Sequence, residues 1–172
     1  MLIPNDNYQW VTACAQASDK YPRLDRPFIV SGYLCASDKA HLMRAVRLPE
    51  GDAPSGFLPP PGDYTGDVVL AEQGAGVWCV MGSMGEGAEY FFPSEPPPVG
   101  AAAVLAQEHT RRQRVEPGFT TLRGHGYKFD AALTAGVPGG GLAHYTPHHA
   151  NVVIHYPGGR LVAVCPIITG GE

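Results

Sequence analysis

Glycine and proline constrain this chain most tightly, with 22 Gly and 17 Pro among 172 residues, about twice the usual share. Proline interrupts helix interiors and central strands, and glycine frees the backbone for tight turns. A chain punctuated this often makes short strands joined by many turns, not a helical bundle or a coiled coil. The hydrophobic fraction, 44%, is enough for a packed core and sets the chain apart from disordered segments. Charged residues make up 16%, and the formal net charge is −4. That balance excludes a strongly basic nucleic-acid binder.

No run approaches the roughly 18 apolar residues of a membrane-spanning helix. The opening Met1-Leu-Ile-Pro-Asn-Asp6 lacks the basic and apolar regions of a secretory signal. Cys14, Cys35, Cys79 and Cys165 lie far apart with no C-x-x-C pair. Three of them sit in apolar runs, so they read as buried free thiols of a reducing compartment, and the expected location is cytoplasmic.

The expected organisation is one domain over residues 1–172, with halves of about 1–93 and 115–172. Residues 5–18 suggest a short helix capped by Asn5 or Asp6, with Trp10, Val11, Cys14 and Ala15 on one stripe. Strands follow at Phe28–Cys35 and His41–Leu48, joined by a polar turn at Ala36–Lys39. Residues 49–66 hold five prolines and four glycines and read as loop. Further strands are expected at Val68–Ala71, Gly76–Gly82 and Ala88–Pro93. A proline-rich linker and an exposed helix, Ala101–Arg114, cover the 94–114 join. In the second half the pattern predicts a strand at Phe119–Arg123, a helix at Tyr127–Ala135 and a strand at Leu142–Tyr145. A hairpin then runs from Asn151–Tyr156 through Pro157-Gly-Gly159 into Arg160–Ile168. The class is α+β, with two short helices packed on mostly antiparallel sheets and an internally duplicated plan.

His144, His148, His149 and His155 fall within twelve residues, close enough to suggest a metal site. Yet the nearest acids in sequence are Asp130 and Glu172, so a carboxylate supporting shell is missing. Turn and edge-strand histidines are the simpler reading, and neither a metal nor any other cofactor is expected. A cysteine hydrolase needs a thiolate at a helix N-terminus facing a histidine. His149 suits the second requirement, but Cys14 lies inside its helix and Cys35 at a strand end. Arg111, Arg112 and Arg114 read as a solvated helix end, and no nucleotide-binding glycine motif follows a strand.

The order of segments carries a resemblance. Tyr127-Lys-Phe-Asp-Ala-Ala-Leu133 is followed by Leu142-Ala-His-Tyr-Thr, Asn151-Val-Val-Ile and Gly159-Arg-Leu-Val-Ala-Val-Cys-Pro-Ile167. This order resembles the C-terminal end of bacterial β-type DNA sliding clamps. The opening helix, Arg26-Pro-Phe-Ile-Val-Ser-Gly-Tyr-Leu and Ser37-Asp-Lys-Ala-His-Leu-Met-Arg-Ala-Val are similar to that family's first helix and hairpin. The resemblance implies a non-enzymatic clamp-like protein, of compact phage or plasmid type, whose helices line a hole and whose sheets form the outer wall. One such unit would reach a ring only as a homo-oligomer of six copies. The implied partners are peptide motifs of a DNA polymerase or clamp loader, with double-stranded DNA as a further candidate and no membrane. Carried over by position, the peptide pocket comprises Tyr127, Asn151, Val164, Cys165, Pro166 and Ile167. Lys20, Arg23 and Lys128 are the candidates to face DNA. Without the resemblance, the chain reads as a β-rich interaction or inhibitor module.

Overall fold

The valine-rich end of the chain pairs with a strand near its beginning, and this long-range ladder organises the molecule. The computed structural model describes residues 1–38, 42–49, 53–106, 113–115, 136–145 and 152–165. The backbone alone is described at 99, 106, 113–115, 144 and 145. In chain order the elements are β1 (Leu2–Ile3), α1 (Asn5–Thr12), β2 (Phe28–Val30), β3 (Tyr33–Asp38), β4 (Leu42–Arg47) and β5 (Gly56–Phe57). Next come β6 (Val68–Gly74), β7 (Val77–Gly82), β8 (Glu89–Phe91) and α2 (Val99–Ala106). The last four strands are β9 (Gln113–Val115), β10 (Leu142–Tyr145), β11 (Val152–Tyr156) and β12 (Arg160–Val164). The fold is α+β and antiparallel throughout its named ladders.

Among the described residues the strands form two sheets, β1-β6-β7-β8 and β5-β2-β3-β4-β12-β11-β10-β9. The larger sheet joins two meanders at β4 and β12, where Arg44 registers with Val162. The ladders on either side of this seam correspond. Leu34 pairs with Val46 as Val152 pairs with Val164, and Cys35 pairs with Ala45 as Val153 pairs with Ala163. Corresponding residues also share a face. Leu34, Val46, Val152 and Val164 enter one core cluster, while Cys35, Ala45, Val153 and Ala163 enter the other. The edges break the correspondence, because β5 follows its meander in the chain whereas β9 precedes its own.

Both faces of the large sheet are therefore packed. On one side α1 supplies Tyr8 and Val11, and the small sheet supplies Ile3, Val68, Leu70, Trp78 and Val80. On the other side α2 supplies Ala101 and Leu105. This helix was expected to be exposed and to reach Arg114. Its described stretch, Val-Gly-Ala-Ala-Ala-Val-Leu-Ala, holds no charge, and burial of its apolar side outweighs solvation. Arg114 lies instead in β9, opposite His144.

Local sequence explains the other departures from expectation. The helix expected over 5–18 ends at Thr12, where the chain passes through a tight turn and Gln16 donates its N–H to Ser37 O at 3.2 Å. Its cap is neither Asn5 nor Asp6. Pro4 precedes the first turn, and the Asn5 N–H donates to Asp67 Oδ1 at 3.1 Å, so a carboxylate from the small sheet serves the positive end of the helix. The expected strand Phe28–Cys35 is two strands, because Ser31 and Gly32 both take positive φ (52° and 78°). Such a two-residue turn matches the twist of a hairpin. The predicted loop 49–66 contains β5, whose Phe57 lies opposite Phe28 with ring centroids 5.6 Å apart. The expected strand Phe119–Arg123 and helix Tyr127–Ala135 lie outside the described residues.

The buried position of α2 is open to a direct check. Replacing Leu105, 2% exposed, by Asp places an unpaired charge in the core. It should lower the unfolding free energy in urea by more than about 2 kcal/mol. A change within about 0.5 kcal/mol would return the helix to the surface.

Candidate functional site

A cleft of about 370 Å³ opens where α1 ends against β3 and β4, lined by Cys14, Gln16, Asp38, Leu42, Arg44 and Gly136 among others. Helix and sheet meet here through Trp10. The Arg44 guanidinium lies 5.2 Å from its ring centroid and the Arg160 guanidinium 5.5 Å, within cation–π range. Tyr156 meets the same ring edge-on at 5.9 Å and donates its hydroxyl to Pro138 O at 2.7 Å.

Most polar groups of the cleft are engaged within the fold. Arg44 Nη1 donates to Trp10 O at 3.0 Å and Nη2 to Gly136 O at 2.9 Å, tying the first helix to the start of the last meander. Its Nε is buried without an acceptor among the described residues. Asp38 accepts the Leu42 N–H at 2.8 Å across the β3–β4 connection. The Cys14 thiol donates to Ala36 O at 3.0 Å. Arg160 Nε donates to Asn7 Oδ1 at 2.7 Å, and its Nη2 meets Asp6 at 2.9 Å, holding the N-terminal turn of α1.

Electrostatics point the same way. Burial pushes the Cys14 thiol up to about 12, although Arg44 acts in the opposite sense. Burial also raises Cys35 well above its ordinary value and raises Cys165. These three thiols are held protonated at neutral pH, the reverse of an activated nucleophile. Among the described residues no three His, Cys, Asp or Glu side chains gather as a metal-binding group. Of the histidine cluster, His155 is half-buried in β11 opposite Leu142 and Leu161. His144 registers with Val153, and His148 and His149 lie outside the described residues.

Of the residues taken from the clamp resemblance, Val164, Cys165, Lys20 and Arg23 are among those described. Val164 is fully buried opposite Leu42, so its side chain is a core contact and no groove wall. Cys165 follows it, half-buried with a free thiol. Tyr127, Asn151, Pro166, Ile167 and Lys128 lie outside the described residues. Lys20 is exposed, its ammonium 5.3 Å from the Tyr21 ring centroid. Arg23 is paired with Glu95 at 2.7 Å. The solvent-facing residues of α1 are Asp6 and Gln9, with Ala13 at its cap, a surface without a cation. Trp10, Arg44 and Arg160 were absent from the expected site. An arginine between the apolar residues of an otherwise buried strand, as in Leu-Met-Arg-Ala-Val, was the available signal.

No protein-family model matches the chain, and no curated protein matches it. Among the described residues no helix is long and apolar enough to cross a membrane.

Two measurements bear on this reading. Cys14 and Tyr8 both have folded values raised to about 12 from 9.0 and 10.0, so the folded state favours their neutral forms. Their contribution is complete below the unfolded values and is lost as pH rises toward 12. The unfolding free energy from urea titration should hold steady to about pH 9, then fall by up to about 1.4 kcal/mol per pH unit per titrating group. Unchanged stability at pH 10.5 would contradict the burial of both groups. Separately, Arg44→Lys keeps the charge but cannot span Trp10 O and Gly136 O together. It should cost about 1–3 kcal/mol in thermal or urea unfolding, and an unaltered midpoint would remove Arg44 from its bridging role.

Proposed function

We propose that the chain is a non-enzymatic protein-interaction module. The observation that carries this reading is the separation of charge along the sequence. From Leu48 to Thr110 there is no lysine or arginine, while nine carboxylates fall in the same stretch. That stretch supplies three strands of the small sheet and all of α2. An acidic surface repels the phosphate backbone, whose binding requires unpaired cations, and it attracts basic protein. The engaged state of Arg23 and the uncharged or acidic outer face of α1 support the same direction.

A sliding clamp is the second reading, and one observation favours it. The matching ladders on either side of the β4–β12 seam are what an internally duplicated clamp-like unit would produce. In that reading six copies close a ring, the helices face DNA, and peptide motifs of replication proteins dock near Cys165.

Sedimentation velocity combined with duplex-DNA anisotropy at low salt separates the two. The interaction module is expected to sediment as a species smaller than a hexamer and to leave the DNA probe free. A mass near six protomers with salt-sensitive DNA binding would overturn it in favour of the clamp.

A further inference from the structure

The outward face of the small sheet is apolar across its full width. Alternation along each strand sends Ile3, Val68, Leu70, Trp78 and Val80 inward to the core, so their neighbours point outward. Register then assembles two rows on that outer face. Leu2 lies opposite Val69, which lies opposite Met81. Ala71 lies opposite Cys79, which is itself fully buried, and Cys79 lies opposite Tyr90. Leu2 is 52% exposed and Tyr90 66%. Phe92, two residues beyond Tyr90 and on the same side by alternation, is 65% exposed. Large apolar side chains presented together by neighbouring strands mark interaction surfaces more often than scattered single ones do.

The strand that carries the aromatics is also an edge. Among the described residues β8 pairs with β7 on one side and with no strand on the other. Edge strands are commonly guarded by lysine, and β8 carries Glu89 instead. Glu89 is exposed, as are Asp63 and Glu72 of the same acidic stretch. None of the three has an ion-pair partner among the described residues. Glu89 lies opposite Val80, on the other face of the strand from Tyr90, so a strand added here would turn apolar residues to the tyrosine side and lysine or arginine to the carboxylate side.

We propose that β8 and the apolar outer face receive an extended segment of a basic partner protein, added as a strand along the β8 edge. Apolar residues on alternate positions of the incoming strand cover Tyr90 and Phe92 on one face, and its lysines or arginines meet Glu89 on the other. The acidity of the surface disfavours a second copy of this chain, a nucleic acid and an anionic membrane alike. The assignment rests on the interaction-module reading and names its partner.

A display library of random dodecapeptides panned against the full chain tests it, followed by anisotropy with one enriched peptide made synthetically. Enriched sequences should alternate apolar residues with lysine or arginine. Affinity should fall at least about tenfold in Tyr90→Ser and in Glu89→Lys, and should weaken as salt rises. Both substitutions are at exposed positions, and an unchanged circular dichroism melt verifies the fold. Four outcomes overturn the assignment: no enrichment, enrichment of uncharged or acidic peptides, affinity unaltered in both variants, or a self-association that Tyr90→Ser abolishes. A chain that stays smaller than a hexamer and free of DNA yet shows one of the first three loses this docking site alone. The interaction-module reading fails separately, through the hexamer and its DNA binding.

Discussion

The pairing of β4 with β12 is the contact on which the rest of the structure depends. It joins residues 42–47 to residues 160–164, so most of the chain must be closed into one loop before these hydrogen bonds form. Loop-closure entropy grows slowly with length, but the ladder still has to be rewarded by burial on both faces. It is: Val46, Val162 and Val164 enter the inter-sheet core, and Ala45, Leu161 and Ala163 enter the core beneath α2. Removing the seam would leave two four-stranded halves, each with a newly unpaired edge at β4 or β12.

The same seam explains why arginine appears inside the sheet. Arg44 and Arg160 both lie on strands of the seam, and both guanidiniums approach Trp10. Their aliphatic stems cover apolar surface while their heads reach the ends of α1. Arg44 grips the Trp10 carbonyl and Gly136, and Arg160 grips the first turn through Asn7 and Asp6. The cleft beside α1 is thus the by-product of a helix fastened at both ends. Both terminal nitrogens of Arg44, the Asp38 carboxylate and the Cys14 thiol are engaged within the fold, and the thiol is held neutral by burial. That accounting makes it structural.

Much of this was legible in the residues alone, and the failures have physical causes. The β11–β12 hairpin stood out because Val, Ile and Leu crowd on both sides of Pro157-Gly-Gly159. The Ser31-Gly32 turn was equally available as a two-residue hairpin signal, but the apolar residues on both sides read as one continuous strand. Apolar runs buried on two faces lose the alternation that marks strand ends. The same loss blurred α2, whose Val-Gly-Ala-Ala-Ala-Val-Leu-Ala is apolar all round and carries little periodicity; the charged residues beyond it made it look exposed. Arg44 could be recognised as unusual from Leu-Met-Arg-Ala-Val, but its two carbonyl partners are 34 and 92 residues away. No local pattern encodes a contact at that separation.

The glycines and prolines acquire distinct roles once the sheets are placed. Within the large sheet they close turns, as at Gly32 and Gly158, where φ is positive. In the small sheet they close the turns between short strands, as at Gly74 and Gly76. Gly56 brings the β5 backbone against the carbonyls of Pro93 and Glu95, the segment that follows β8. The chain leaving β8 is thereby drawn to the β5 edge of the large sheet and carried on by prolines to α2. A strand followed by prolines cannot extend its own ladder, so β8 ends short, with Tyr90 outward, Phe91 against the core and Glu89 without an ion-pair partner among the described residues. The punctuation that dominates the sequence therefore does more than divide it into short strands. It leaves one acidic, aromatic sheet edge at the surface while the buried hydrophobic residues fill the two cores around the seam.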